Sequence, residues 1–369
     1  MRQKNKKVLV DIGHPAHVHY FRNFINAMIG NGHSVAVTAR EKEVTHQLLD
    51  AYNIVYRSRG KGAASLIGKL FYIPVGDAAI FKIASKFKPD IFLSFASPYA
   101  AQVSTIIRKP HIVLDDTEIA RFGQAMYRPF SNTILTPMCF KKDFGVKHIR
   151  FDGFMELAYL HPRYFTPNFK FLNELNLNMG EKFVLIRFVS WRANHDIGQS
   201  GLSNESKRAI VEAFSNQYRV FISAESELPY DLEKYRISIQ PHHIHHVIAY
   251  ASLFIGESST MASEAAVLGT PAIYCDNNGR GYTNEEERYG LVHNFGISSS
   301  EQVRAVEKGL ELLGDSRTKV RIERNRIEFL KNKIDVTSFL VWFVENYPES
   351  FQIMKEMPQY QHRFQIQGI

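Results

Sequence analysis

Residues 255–271 read IGESSTMASEAAVLGTP, and this stretch decides the fold. Ile255 ends an apolar run, Gly256 to Ser259 are small or polar, and Thr260 to Leu268 is a helical stretch rich in alanine. Gly269 and Thr270 turn the chain, and Pro271 opens a second apolar run. Strand, loop, helix, tight turn and strand in that order form the βαβ unit of a parallel sheet. Ser258, Ser259 and Thr260 stand at the helix start, where hydroxyls and unpaired backbone N–H groups can hold a diphosphate. Glu264 follows one turn after Thr260 on the same face. A carboxylate there can accept hydrogen bonds from the vicinal hydroxyls of a ribose. The plainer alternative is an ordinary serine N-cap before a packed helix; only the whole string is specific.

The alternation continues outward on both sides. Upstream lie a strand over 183–188, a helix over 203–214, a strand over 219–223, a helix over 243–250 and a strand over 253–255. Downstream comes a strand over 271–274, and from Ser299 the chain reads as mostly helical to about Tyr347. The first half repeats the theme. Its strands are expected over 6–12, 33–39, 54–56, 90–95, 110–114, 132–136 and 147–151, with helices over 18–29, 44–52 and 99–107. Residues 153–170 hold Pro162 and Pro167 without a clean period and read as a linker. The expected division is a first Rossmann-like domain at 1–160, a second at 170–347, and a polar tail at 348–369 crossing back to the first. The fold class is α/β, with two parallel sheets facing an interdomain cleft.

A chain of 369 residues suffices for two such domains. Its formal charge of +8 suits anionic ligands or an anionic membrane surface. Without a basic stripe interleaved with aromatics, nucleic acid is not an expected partner. No segment approaches the length of a membrane span and no signal pattern precedes Asp11, so a cytoplasmic protein, at most peripheral on the inner face of the membrane, is expected. Cys139 and Cys275 have no metal or redox spacing and read as buried thiols.

Further candidates lie where strands hand over to helices. GHPAHVH, residues 13–19, follows the first strand, and ligands of open α/β sheets bind beyond the carboxyl ends of strands. His14, His17 and His19 fall there, with His17 favoured as general base because imidazole titrates near neutrality; capping or packing is the plainer role. RFVSWRANHD, residues 187–196, places Arg187, Arg192 and His195 as phosphate binders, against the reading that Trp191 packs and the charges are solvated. Asp115, Asp116 and Glu118 end another strand and suit acid/base work or a helix cap. His242, His243, His245 and His246 lack ligand-spaced carboxylates or cysteines, so no metal is expected there. Basic and apolar residues mix over 57–71, as a lipid-linked acceptor would require, although an ordinary helix explains them more simply.

The stretch from His243 to Cys275 (HIHHVIAYASLFIGESSTMASEAAVLGTPAIYC) resembles the nucleotide-binding half of GT-B glycosyltransferases. It is most similar to the bacterial lipid-linked GlcNAc transferase of peptidoglycan synthesis, and also resembles UDP-GlcNAc 2-epimerases. DIGHPAHVHYFRNF at the start and RGYTNEEERYGLV at 280–292 resemble a prokaryotic family, domain of unknown function 354, over nearly the whole chain. The resemblance implies a GT-B fold and a metal-independent glycosyltransferase using a nucleotide-diphosphate sugar, in cell-surface polysaccharide or glycolipid synthesis. Epimerisation of UDP-GlcNAc, or sugar-nucleotide binding without catalysis, is the alternative. It further implies that Ser258 to Thr260 hold the diphosphate, Glu264 the ribose and Ile244 the uracil. Arg280 joins the substrate-binding set, and His17 takes the place of the N-terminal-loop histidine. Asp116 and Glu118 complete the catalytic candidates. No cofactor is expected; the sugar nucleotide enters as substrate, with an acceptor that is lipid-linked on one reading. The glycine-rich loop of the peptidoglycan enzyme is replaced here by GHPAHVH, so first-domain contacts do not transfer.

Overall fold

The computed structural model describes residues 5–63, 66–189, 201–277 and 279–365. They form two compact units, one of residues up to 159 together with 333–365, the other of residues 160–332.

The first unit is built on a seven-stranded sheet of β1 (Lys7–Ile12), β2 (Ser34–Ala39), β3 (Arg57–Ser58), β4 (Ile91–Phe95), β5 (His111–Leu114), β6 (Thr133–Pro137) and β7 (His148–Phe151). The order is β3-β2-β1-β4-β5-β6-β7 and each described pairing is parallel. β1, β4 and β5 are buried along nearly their whole length, which is why they read as unbroken apolar runs. The strand expected at 54–56 is displaced. Val55 is 89% exposed, and the pairing with Thr38 and Ala39 is made by Arg57 and Ser58. Chain order reverses between β1 and β4, so the crevice beyond their carboxyl ends is the topological switch point. Helix α1 (Pro15–Gly30) leaves from that edge after β1, and α2 (Pro98–Ile107) after β4.

The second unit has a five-stranded parallel sheet of β8 (Phe183–Phe188), β9 (Arg219–Ala224), β10 (Leu253–Gly256), β11 (Ala272–Cys275) and β12 (Val292–Phe295), in the order β12-β11-β10-β8-β9. Its switch point lies between β8 and β10. Helix α4 (Ser259–Leu268) packs on β10 and β11, and helices α3 (Ile244–Tyr250) and α5 (Gly281–Arg288) pack against α4.

The chain returns to the first unit earlier than its tail suggests. The expected border at 347/348 moves to Lys333, whose Nζ lies 2.6 Å from Asp152 Oδ1. Asp335 then caps α6 (Val336–Glu345), whose Phe339, Leu340, Phe343 and Val344 are buried and which packs on α1. The apolar face of α6 belongs to the first core, so the return begins with the helix rather than with the polar residues after it.

Candidate functional site

At the second switch point the strands approach so closely that only glycine fits. A Cβ on Gly256 would come within 2.3 Å of the Arg187 carbonyl oxygen. Glu257 follows, 3% exposed. Its carboxylate accepts the N–H of Val189 at 3.1 Å and of Leu202 at 2.7 Å, tying the chain on either side of 190–200 to the start of α4. Arg192 and His195, read as phosphate binders, lie outside the described residues. Arg187 donates to Ser223 Oγ at 2.7 Å and Glu225 Oε1 at 2.6 Å, and its buried Nε has no partner among the described residues.

Ser258 is the N-cap of α4 and its Oγ accepts the N–H of Met261. Ser259 accepts a hydrogen bond from Tyr282 at 2.8 Å, and Thr260 is half-buried at the same helix start. Helix α4 is capped and accessible at its first turn, while Met261 to Val267 are buried. Arg280, the N-cap residue of α5, is 7% exposed; it lies 3.5 Å from Asp276 and donates to the Gly279 carbonyl. Glu264 sits deeper than a ribose-facing side chain need be. It is 5% exposed, with Oε1 2.9 Å from His245 Nε2. Ile244, expected against the base, is the half-buried first residue of α3.

Of the four histidines near α3, His242 and His243 lie side by side, with ring centroids 4.0 Å apart. His243 meets Glu174 at 2.6 Å, His246 accepts the N–H of Asn168 and lies flat on Phe171, and His245 pairs with Glu264.

In the first unit the residues named from sequence divide. His14 is the N-cap of α1 and its Nδ1 accepts the N–H of Ala16 at 3.2 Å; His17 Nδ1 accepts the N–H of Gly13 at 3.2 Å. A ring nitrogen that accepts a backbone N–H carries no hydrogen, so each neutral ring holds its hydrogen on Nε2. His17 is packed by Phe95, Tyr20 and His14. Burial, with Lys42 and Arg59 nearby, pushes its pKa down to about 3. His19 turns away. Two residues on is more than half a helical turn, and its ring is 6% exposed, stacked on Tyr159 beside Tyr52.

Asp115, Asp116 and Glu118 follow β5. Asp115 is consumed by packing. It accepts from Thr117 N–H, Gln124 Nε2 and Tyr127 OH, and burial raises its carboxyl above the usual range. Asp116, 7% exposed, accepts from the Thr117 hydroxyl, and Glu118 is half-buried.

Sequence reasoning counted Arg59 only as one charge in the basic stretch 57–71. Its Nε donates to Asp11 Oδ1 at 2.9 Å, and Asp11 also accepts from Thr38 at 2.8 Å and Ser97 at 2.6 Å, all in the buried sheet edge. The signal was available: Asp11 interrupts the apolar run KKVLVDI, and a buried carboxylate requires a cation and donors.

The family described as "Protein of unknown function (DUF354)" matches residues 6–341. The chain belongs to this family. The uncharacterized protein MJ0665 of Methanocaldococcus jannaschii is 25% identical over 284 residues, 73% of this chain and 82% of that protein. Among solved structures, S. aureus MnaA in its UDP co-structure gives a TM-score of 0.69 at 11% identity, covering 94% of this chain and 97% of that one. The Methanocaldococcus jannaschii UDP-GlcNAc 2-epimerase in complex with UDP-GlcNAc and UDP gives 0.60 at 13% identity, covering 86% and 98%. The spinosyn rhamnosyltransferase SpnG complexed with spinosyn aglycone gives 0.59 at 13%, covering 92% and 100%. The DUF354 chain therefore has the GT-B fold of glycosyltransferases and UDP-GlcNAc 2-epimerases, each of its units being a parallel Rossmann-like sheet. Among its described residues no helix is long and apolar enough to cross a membrane.

Proposed function

We propose that the protein is a sugar-nucleotide-dependent glycosyltransferase whose second unit takes the nucleotide diphosphate at the start of α4. The observation that carries this reading is the position of Ser258, Ser259 and Thr260. They begin a ten-residue helix directly beyond β10, at the switch point of a 2-1-3-4-5 sheet, where doubly wound folds bind phosphates. The nucleotide complexes of MnaA and the archaeal epimerase support it by analogy of fold. Helix-start amides, with Arg280 and Arg187 in the same unit, would offset the charge that develops on a departing diphosphate, so that transfer proceeds without a divalent metal. The first unit takes the acceptor.

The proton of the acceptor hydroxyl needs a base. His17 suits this poorly, because its Nε2 already carries the hydrogen and its pKa is driven to about 3. A neutral imidazole of this kind donates. With Asp115 committed to Tyr127, Gln124 and Thr117, we assign proton removal to Asp116 or Glu118.

Titrating the full-length protein with UDP, GDP and their sugars, in buffer with EDTA, tests the reading. Saturable UDP binding that persists in EDTA and is lost in Thr260→Val is expected; absence of nucleotide binding overturns it. The same incubation without acceptor addresses the epimerase reading, which the Methanocaldococcus jannaschii epimerase supports by analogy of fold, since UDP-ManNAc, or ManNAc and UDP where water is added, would then accumulate.

A further inference from the structure

The edge of the first unit gathers hydrogen-bond donors that the nucleotide reading does not use. Arg59 is fixed on three sides: Asp11 takes Nε, the Tyr99 ring lies 4.7 Å from its guanidinium carbon, and the Tyr72 hydroxyl donates to its carbonyl. The side chain is 3% exposed, yet Nη1 is buried and no described group accepts from it. Such an orphaned cationic donor costs more than an unmade neutral bond unless something accepts from it. The guanidinium is aimed at the start of α1: a Cβ built on Gly13 would lie 3.4 Å from Nη2 and 3.8 Å from the His17 ring. The space reserved by that missing side chain is bordered by Arg59 and the His17 ring, with the His14 ring 5.8 Å from that of His17, and the backbone bonds of both rings turn Nε2 into a donor. Asp11, the nearest acceptor, already receives three donors. Further positive charge stands nearby: Arg59 lowers the pKa of Arg40, and Lys42, itself 3.2 Å from Glu43, lowers that of His17.

We propose that the first unit binds a phosphate group beside Gly13, at the start of α1, with Arg59 as its principal ligand and His14, His17, Arg40 and Lys42 around it. A bulky dianion, rather than a carboxylate, matches donors that arrive from a helix start, a guanidinium fork and two rings. Resting on the assignment of the first unit to the acceptor, this makes the second substrate a phosphorylated molecule, bound independently of the nucleotide.

The test uses full-length protein and inorganic phosphate, titrated by calorimetry in the presence of saturating UDP, with acetate as a parallel titrant. One phosphate per chain should bind while UDP is present, and acetate should not compete. Arg59→Met should abolish that binding. Because this variant strands Asp11 and can fail to fold, Gly13→Ala is the second arm. Its methyl makes only ordinary contacts and its backbone is not left-handed, yet it fills the reserved space. Phosphate affinity should fall about tenfold or more, as expected for losing a charge-assisted bond, with UDP affinity unchanged. Phosphate binding that survives in folded Gly13→Ala, that UDP displaces, or that acetate matches overturns the proposal. Failure of UDP itself to bind would instead remove the nucleotide assignment and leave the phosphate result standing.

Discussion

The two switch points solve one geometric problem with opposite chemistry. Both place a loop between a central parallel strand and the helix that follows it, at the carboxyl edge of a sheet. After β10 the loop is made of small hydroxyl residues, and its one buried acid, Glu257, is spent on the amides of Val189 and Leu202. After β1 the hydroxyls are replaced by histidines, and the buried acid, Asp11, lies in the strand and orients an arginine. A shared fold position thus leaves one helix start to bind through backbone and hydroxyl groups, and surrounds the other with side-chain cations. Shared topology says where ligands go; the placement of the buried acid says which donors meet them.

The sharpest way to break this comparison is to remove the acids. Asp11→Ala leaves Arg59 buried without its partner and should cost about 3–5 kcal/mol of stability, read by chemical denaturation. The double variant Asp11→Ala/Arg59→Met should recover a large part of that loss. A single-variant cost below about 1 kcal/mol would show that the pair does not organise this edge.

Next comes the glycine at each loop. Gly256→Ala forces a methyl against the backbone of β8 and should destabilise the second unit by about 3 kcal/mol, with loss of UDP binding. Gly13→Ala should alter stability by less than about 1 kcal/mol, since its new contacts are ordinary. Equal effects from the two substitutions would erase the distinction between a strand-packing glycine and a ligand-space glycine.

Acid should separate the units as well. His111, fully buried between Ser94 and Ser131 at 2.9 Å each, has its pKa pushed down to about 3 by burial. The folded state holds it neutral, so its contribution is complete above the unfolded value near 6.5 and declines as pH falls from there toward 3. At pH 5 that amounts to about 2 kcal/mol from this residue. Hydrogen exchange at pH 7.5 and 5.0 should show the first unit loosening, and His111→Gln should blunt the difference.

How much of this was legible in sequence follows from distance along the chain. The strands that read correctly are apolar runs buried on both faces, and IGESSTMASEAAVLGTP carries its own strand, cap and turn within 17 residues. Helix α5, GYTNEEER, is too polar to show a period, and β3 is a two-residue pairing whose apolar neighbour Val55 faces out. Arg59 was seen only as one charge in a basic patch, because its partner Asp11 is 48 residues away and nothing local couples them. His19 was grouped with His14 and His17 by proximity in sequence, where helical periodicity would have set it apart. Glu264 was placed one turn after Thr260, but its burial and its pairing with His245 depend on a neighbouring helix.

A small stability effect sharpens the comparison most. Ser258→Ala removes the hydroxyl that accepts the Met261 N–H and should cost about 1 kcal/mol, as N-caps do. The freed amide would still face a bound diphosphate, so UDP should offset part of that loss and the gap between wild type and variant should narrow at saturating nucleotide. At the other switch point, His14→Ala removes the corresponding cap on Ala16 at a similar cost. UDP should leave that deficit unchanged, whereas phosphate should reduce it. Thermal unfolding of both variants with each ligand measures the four combinations. If UDP rescued both caps, or neither, the two helix starts would not be distinct anion sites.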